Sequence, residues 1–181
     1  MLFLSRIFGR KKQLRQAAEN WLSSIIGQSR LPVFYSERGV PDTLDGRFEL
    51  MTLHAVLVLR RLRDLEPDGA KLSERLFDRL FSNFDYALRE SGVGDLMVGK
   101  RMRLLGEAYL GRARAYDEAL QKSPEALEAA IHRNLLDERD GTISTQLTEY
   151  VLHLVQELDK TPDTSLMEAD INWPDATKFL S

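Results

Sequence analysis

"FELMTLHAVLVL", residues 48–59, is the stretch that decides the fold. Twelve residues hold only Glu49, Thr52 and His54 as polar groups, and they show neither alternation nor a single apolar stripe. A helix apolar nearly all round is one buried on all sides, so this segment is expected at the centre of a helical bundle. Asp42 or Thr43 stands where an N-cap is needed, and Asp45 falls in the first turn. Arg60, Arg61 and Arg63 suit a helix carboxyl end, which puts the end near Leu65, before the turn "EPDG" (66–69).

Outward from that centre the chain reads as helix after helix. On 11–29, Leu14, Ala17, Ala18, Trp21, Leu22, Ile25 and Ile26 recur at i, i+3, i+4 spacing. "LPVFYSERGVP" (31–41) is irregular between Pro32 and Pro41. Leu72, Leu76, Phe77, Leu80, Phe81, Phe84 and Leu88 form the stripe of a helix over 70–90, broken by "ESGVG" (90–94). Asp95 to Leu120 carries Val98, Met102, Leu105, Tyr109 and Tyr116 on one side. Ser123-Pro124 caps and opens a short helix to Leu136, "DERDG" is a loop, and 143–160 is a last long helix on Leu147, Tyr150, Val151, Leu154 and Leu158. The expectation is all-α: a single-domain bundle of six or so helices with an irregular, acidic tail at 161–181, on which Trp173 docks. The segments are a basic apolar arm at 1–15, a helical domain at 16–160, and that tail.

Composition narrows the function. The 181 residues contain no cysteine, which excludes disulfides, thiolate metal sites and cysteine nucleophiles. Net charge is -3, yet residues 1–15 carry Arg6, Arg10, Lys11, Lys12 and Arg15 without an acid, so the arm is +5 and the remainder -8. A basic arm on an acidic body suits an anionic surface. "LFLSRIF" (2–8) followed by "GRKK" makes Leu2, Phe3, Leu4, Ile7, Phe8, Arg10, Lys11 and Lys12 candidates for contact with an anionic membrane. The apolar part precedes the basic part, the reverse of a secretory signal, and the stretch at 48–59 is too short to span a bilayer. A cytoplasmic protein, peripheral at the inner face of the membrane, is expected.

Motifs for chemistry are sparse. "GDLMVGKR" (94–101) has the spacing of a phosphate loop, but a helix precedes it and Arg101 replaces the magnesium-holding hydroxyl. It reads instead as a break where Gly92 and Gly94 turn the chain, Asp95 caps, and Gly99 allows close packing. Glu149, His153 and Glu157, and Glu128 with His132, repeat at i, i+4, a spacing unlike the Glu-x-x-His of di-iron bundles. No metal, cofactor or catalytic residue is expected, and no sequence-specific nucleic-acid reading accompanies the basic run Lys100, Arg101, Arg103, Arg112 and Arg114. His54 and Arg112 lie on apolar faces. Either they are polar groups satisfied by neighbours, or they organise a charged groove for another protein. Arg47, His54, Asp95, Lys100, Arg101, Arg112 and Tyr116 are the partner-binding candidates on the second reading.

Three blocks in order resemble the ubiquinol–cytochrome c chaperone family: "TLDGRFELMTLHAVLVLRRLR" (43–63), "LFDRLFSNFDYALRESGVGDLMVGKRM" (76–102) and "YLGRARAYDEAL" (109–120). "INW" (171–173) resembles a further block near that family's end. The resemblance implies a non-enzymatic chaperone that binds newly made cytochrome b and assists assembly of the bc1 complex. The chain looks like a bacterial-type member, and the apolar and basic residues of 2–15 themselves suggest a substitute for the anchor of mitochondrial relatives. The competing reading is a peripheral membrane adaptor without a client. Phe77, Phe81, Phe84 and the 48–59 helix either wall an apolar groove for a client or are plain core, and most of them must be core.

Overall fold

The computed structural model describes residues 2–35, 39–136 and 142–180, the side chains of 2–8 and 142 excepted. Seven α-helices and no strand occur among them: α1 (Leu2–Ser29), α2 (Leu44–Arg63), α3 (Gly69–Glu90), α4 (Asp95–Lys122), α5 (Pro124–Ile131), α6 (Thr142–Lys160) and α7 (Asp163–Leu166). Short 3-10 turns lie at Pro32–Tyr35 and Ala176–Lys178, and a π turn, His132–Leu136, follows α5. The expected loop at 137–141 lies outside the described residues.

The apolar run behaves as its composition requires. Every residue from Thr52 to Leu59 is buried, and α2 is flanked by α1, α3, α4, α6 and the π turn. Thr43 is the cap, its Oγ1 accepting from the Gly46 amide at 3.1 Å. The chain then folds back so tightly that a Cβ at Gly46 would lie 2.0 Å from the Pro41 carbonyl oxygen, so no side chain fits there.

The helix ends follow local chemistry. Gly92, at φ +80°, closes α3 in a Schellman motif: its amide donates to Arg89 O and that of Val93 to Leu88 O. Two expectations for the next helix need correction. Gly94, not Asp95, is the N-cap of α4, because Asp95 already has helical geometry and its carboxylate is taken by Arg89. Gly99 packs against nothing, since an added Cβ would meet no atom within 4 Å. Ser123 caps α5 as expected, its Oγ accepting from Ala126 N.

α1 runs unbroken past residue 15 to Leu2. Leu14 is buried and Arg10 is ion-paired to Asp68 in the α2–α3 turn, so the helix is docked to the body from Arg10 onward. The tail is irregular between α7 and its closing 3-10 turn, and it is pinned to α1. Trp21 Nε1 donates to Leu166 O at 2.8 Å, and Trp173 Nε1 to Ser24 Oγ at 2.7 Å.

Because Leu53 lies wholly inside and Leu96 is 96% exposed, their truncations are expected to separate in denaturant unfolding. Leu53→Ala should lower stability by about 3 kcal/mol, and Leu96→Ala should change it by less than about 0.5 kcal/mol.

Candidate functional site

Three arrangements hold the polar and exposed groups singled out in the sequence. The first is interior. His54 Nδ1 lies 2.8 Å from the Leu50 carbonyl oxygen, which only accepts, so Nδ1 carries the proton. Nε2 then accepts from the Tyr150 hydroxyl at 2.8 Å, and that hydroxyl accepts from Gln28 Nε2 at 3.0 Å. Gln28 also reaches Pro174 O at 3.3 Å. Phe34, Tyr150 and Trp173 surround the imidazole, with ring centroids 5.6, 5.7 and 5.7 Å away. Burial pushes the His54 pKa down to about 4, against its backbone hydrogen bond, which acts the other way. The ring is neutral at pH 7.

The second arrangement is half-buried. Arg112 donates to both carboxylate oxygens of Glu49 through Nη2 and Nε, at 2.7 and 2.9 Å, joining α4 to α2. This is the only carboxylate within the apolar run, and Arg112 is the cation on the α4 stripe. Beside the pair, burial raises the Tyr116 hydroxyl well above the ordinary tyrosine range. It stands near the Asn134 side chain of the π turn without a hydrogen bond of standard geometry, and Thr52 Oγ1 is likewise unpartnered.

The third arrangement is open. At one end of the bundle α2 contributes Leu44, Asp45 and Phe48, and α3 contributes Phe84, Ala87 and Leu88. Arg101, Leu104 and Leu105 of α4 complete an apolar groove of about 310 Å³. Phe48 and Phe84 pack with centroids 4.9 Å apart and are buried, so the floor is fixed. The mouth is aliphatic: Leu44 is 49% exposed and Leu104 48%, and nearby on α4 Met97 is 48% exposed. Lys100 and Arg101 are exposed and have no ion pair among the described residues.

The candidates therefore separate. Arg101 lines the groove, Lys100 is its exposed neighbour on α4, and Asp95 lies about one turn before them, paired to Arg89. Arg112 is two turns beyond Leu105 and committed to Glu49. His54 and Tyr116 are enclosed, with no exposed surface. Arg47 is exposed and bonded to Asp42 at 2.6 Å, a contact that holds the Asp42 carboxyl below the usual carboxylate range. Phe84 walls the groove, while Phe77 and Phe81 pack on Tyr109, at 5.2 and 5.6 Å, and join α3 to α4. Lys11 and Lys12 are exposed, and Leu2, Phe3, Leu4, Ile7 and Phe8 have side chains outside the described residues. Of the i, i+4 pairs, His153 stacks on Phe179 at 5.0 Å, and Glu128 accepts from the Ser144 and Thr145 hydroxyls. The described residues gather no metal-sized group of His, Asp and Glu.

Leu44, Met97 and Leu104 were not singled out in the sequence. Their signal was present: Met97 and Leu104 share a helix side that is not the Val98–Leu105–Tyr109 stripe, so α4 is apolar on a second face.

Among the described residues the bundle thus carries an open, mainly apolar groove lined by Arg101, a concave surface of the kind that binds a partner group. The chain belongs to the ubiquinol–cytochrome c chaperone family, whose model matches residues 36–173. It is 25% identical over 143 residues to ubiquinol-cytochrome-c reductase complex assembly factor 1 of Xenopus laevis, covering 77% of this chain and 72% of that protein. To the Mus musculus protein of the same name it is 22% identical over 166 residues, 90% of this chain and 56% of that one. The chain thus spans little more than half of the mouse relative. Among solved structures it resembles the Cbp3 homolog from Brucella abortus, with a TM-score of 0.86 and 32% identity over 97% of this chain and 99% of that one. No helix among the described residues is long and apolar enough to cross a membrane.

The interior network has a pH signature. His54 titrates near 6.5 when unfolded and near 4 when folded, so between those values the unfolded chain binds more protons. Its contribution is complete above pH 6.5 and is lost as pH falls toward 4, on the order of 3 kcal/mol. Urea unfolding at pH 7.5 and pH 4.5 should show this loss in the parent protein and a smaller loss in His54→Gln. Equal pH dependence in the two proteins would contradict a buried neutral imidazole.

Proposed function

We propose that this protein is a non-enzymatic assembly chaperone that binds newly made cytochrome b and assists assembly of the ubiquinol–cytochrome c reductase complex. The carrying observation is the open groove. Other large side chains are exposed singly on the bundle, Tyr86, Leu96 and Leu110 among them, but at the ends of α2, α3 and α4 the half-exposed Leu44 and Leu104 gather around an aromatic floor of Phe48 and Phe84. Membership of the chaperone family and the assembly-factor names of the relatives support the same reading. A groove of this size shields a few apolar side chains of a client without enclosing it, so the client is released when stronger contacts in the final complex compete. Exposed cations at the mouth steer and orient the encounter.

The work is done at the inner face of the membrane, where a nascent membrane protein inserts. α1 extends beyond its docking point at Arg10, and its terminal sequence "LFLSRIF" with Lys11 and Lys12 supplies apolar and cationic contacts to anionic lipid. Because Leu14 is part of the core, removal of residues 1–8 is the truncation that leaves the bundle intact. It should weaken sedimentation with anionic vesicles.

Deleting the gene should remove the cytochrome b haem absorbance from membranes, and the parent gene should restore it. Restoration by Leu104→Glu combined with Arg101→Glu should fail although that protein accumulates and keeps its helical circular dichroism. Normal bc1 spectra and activity in the deletion strain would sink the reading.

A further inference from the structure

The groove holds about 310 Å³. A membrane-spanning helix about 10 Å across and about 30 Å long occupies on the order of 2,000 Å³. The groove is therefore fitted to the side chains of one or two helical turns, not to a span. Its shape says which kind of turn. Three helix ends wall a slot whose floor is Phe48 against Phe84 and whose lip is Leu44 and Leu104. Such a slot accepts aliphatic anchors at i, i+3 or i+4 from one helix laid across it.

Charge fixes the rest of the occupant. Along the amino-terminal half of α4, Asp95 is taken by Arg89, and Arg103 pairs with Glu107 at 3.4 Å. Lys100 and Arg101 remain without a carboxylate among the described residues, and Arg101 lines the groove itself. Asp45, on the opposite wall, sits in the first turn of α2, where the helix dipole favours a negative charge. Asp45 also has no ion pair among the described residues, so the unpaired charges at the slot are two cations against one carboxylate, a net positive balance on the α4 side. A bare hydrophobic segment would leave it unanswered. An anionic bilayer fits poorly for a geometric reason: an interfacial helix offers a convex apolar face, whereas this apolar surface is concave.

We propose that the groove receives an amphipathic helix bearing two or three aliphatic anchors and at least one Asp or Glu flanking them, which pairs with Arg101 and Lys100. On a membrane-protein client, such a segment is a helix at the membrane edge or in a connecting loop, not a spanning helix. The inference rests on the assignment of the groove as the client site.

The test uses the full chain and fluorescent synthetic helices of about four turns, with leucines at i, i+3, i+4 and i+7 and flanking Glu, Gln or Lys. Fluorescence anisotropy should show the Glu peptide binding about tenfold more tightly than the Gln peptide, with added salt narrowing the difference. Lys100→Glu with Arg101→Glu should reverse the preference, favouring the Lys peptide. Leu104→Glu should weaken all three. All these side chains are exposed, and unchanged unfolding midpoints verify that the variants fold. Equal binding of the Glu and Gln peptides, or binding of none, overturns the proposal. So does binding to anionic vesicles through Lys100, Arg101 and Leu104 in the absence of peptide binding. The chaperone reading fails separately: it is lost if the deletion strain has normal cytochrome b, whatever the peptides do.

Discussion

One imidazole at the centre of an otherwise apolar helix sets the terms for the whole bundle. An unbonded polar group at His54 would cost about 1–3 kcal/mol, and the ring has two nitrogens to satisfy. Leu50 O satisfies one from within α2, but the other needs the Tyr150 hydroxyl from α6, which in turn is held by Gln28 of α1. Gln28 also bonds Pro174, next to the tryptophan whose ring packs on His54. Four distant segments meet at one side chain, and a register shift in any of them would leave a buried group unpaired. The network therefore specifies the arrangement of α1, α2, α6 and the tail more than it adds net stability.

That rigid half is what permits the other half to stay open. The carboxyl-terminal part of α4 is seated by Tyr109, Tyr116 and Ala119 and clamped to α2 through Arg112 and Glu49. Toward its amino end the same helix has only Val98 buried, while Leu96, Met97 and Leu104 face outward. Phe48, adjacent to Glu49, begins the groove floor where the clamp ends. The groove therefore has a buried aromatic floor and an exposed aliphatic lip, the shape that the proposed hold-and-release role calls for.

The architecture was legible in the sequence because helical periodicity is local. The all-round apolar 48–59 segment foretold the central helix, Ser123 the cap of α5, and the stripe of α3 its buried face, while the cap of α2 was narrowed to Asp42 or Thr43, of which the structure uses Thr43. What stayed hidden depended on distance. His54 and Arg112 were visible as polar residues on apolar faces, but nothing in the chain names Tyr150, 96 positions from His54, or Glu49, 63 positions from Arg112. The periodicity of 11–29 marks α1, and the helix continues back past Gly9 to Leu2, with Arg10 meeting Asp68. Lys100 and Arg101 were singled out for their charge. The groove beside them escaped notice because the stripe on Val98, Leu105 and Tyr109 accounted for the helix so well that Met97 and Leu104 read as incidental.

The central claim is that the open end of the bundle, and not its sides, meets cytochrome b. A photoreactive amino acid placed at position 104, and separately at 118 on the exposed carboxyl-terminal half of α4, tests this in growing cells. Irradiation should yield a crosslink identified by mass spectrometry as cytochrome b from position 104 and none from position 118. Cytochrome b captured equally from both positions, or from neither, would contradict the claim.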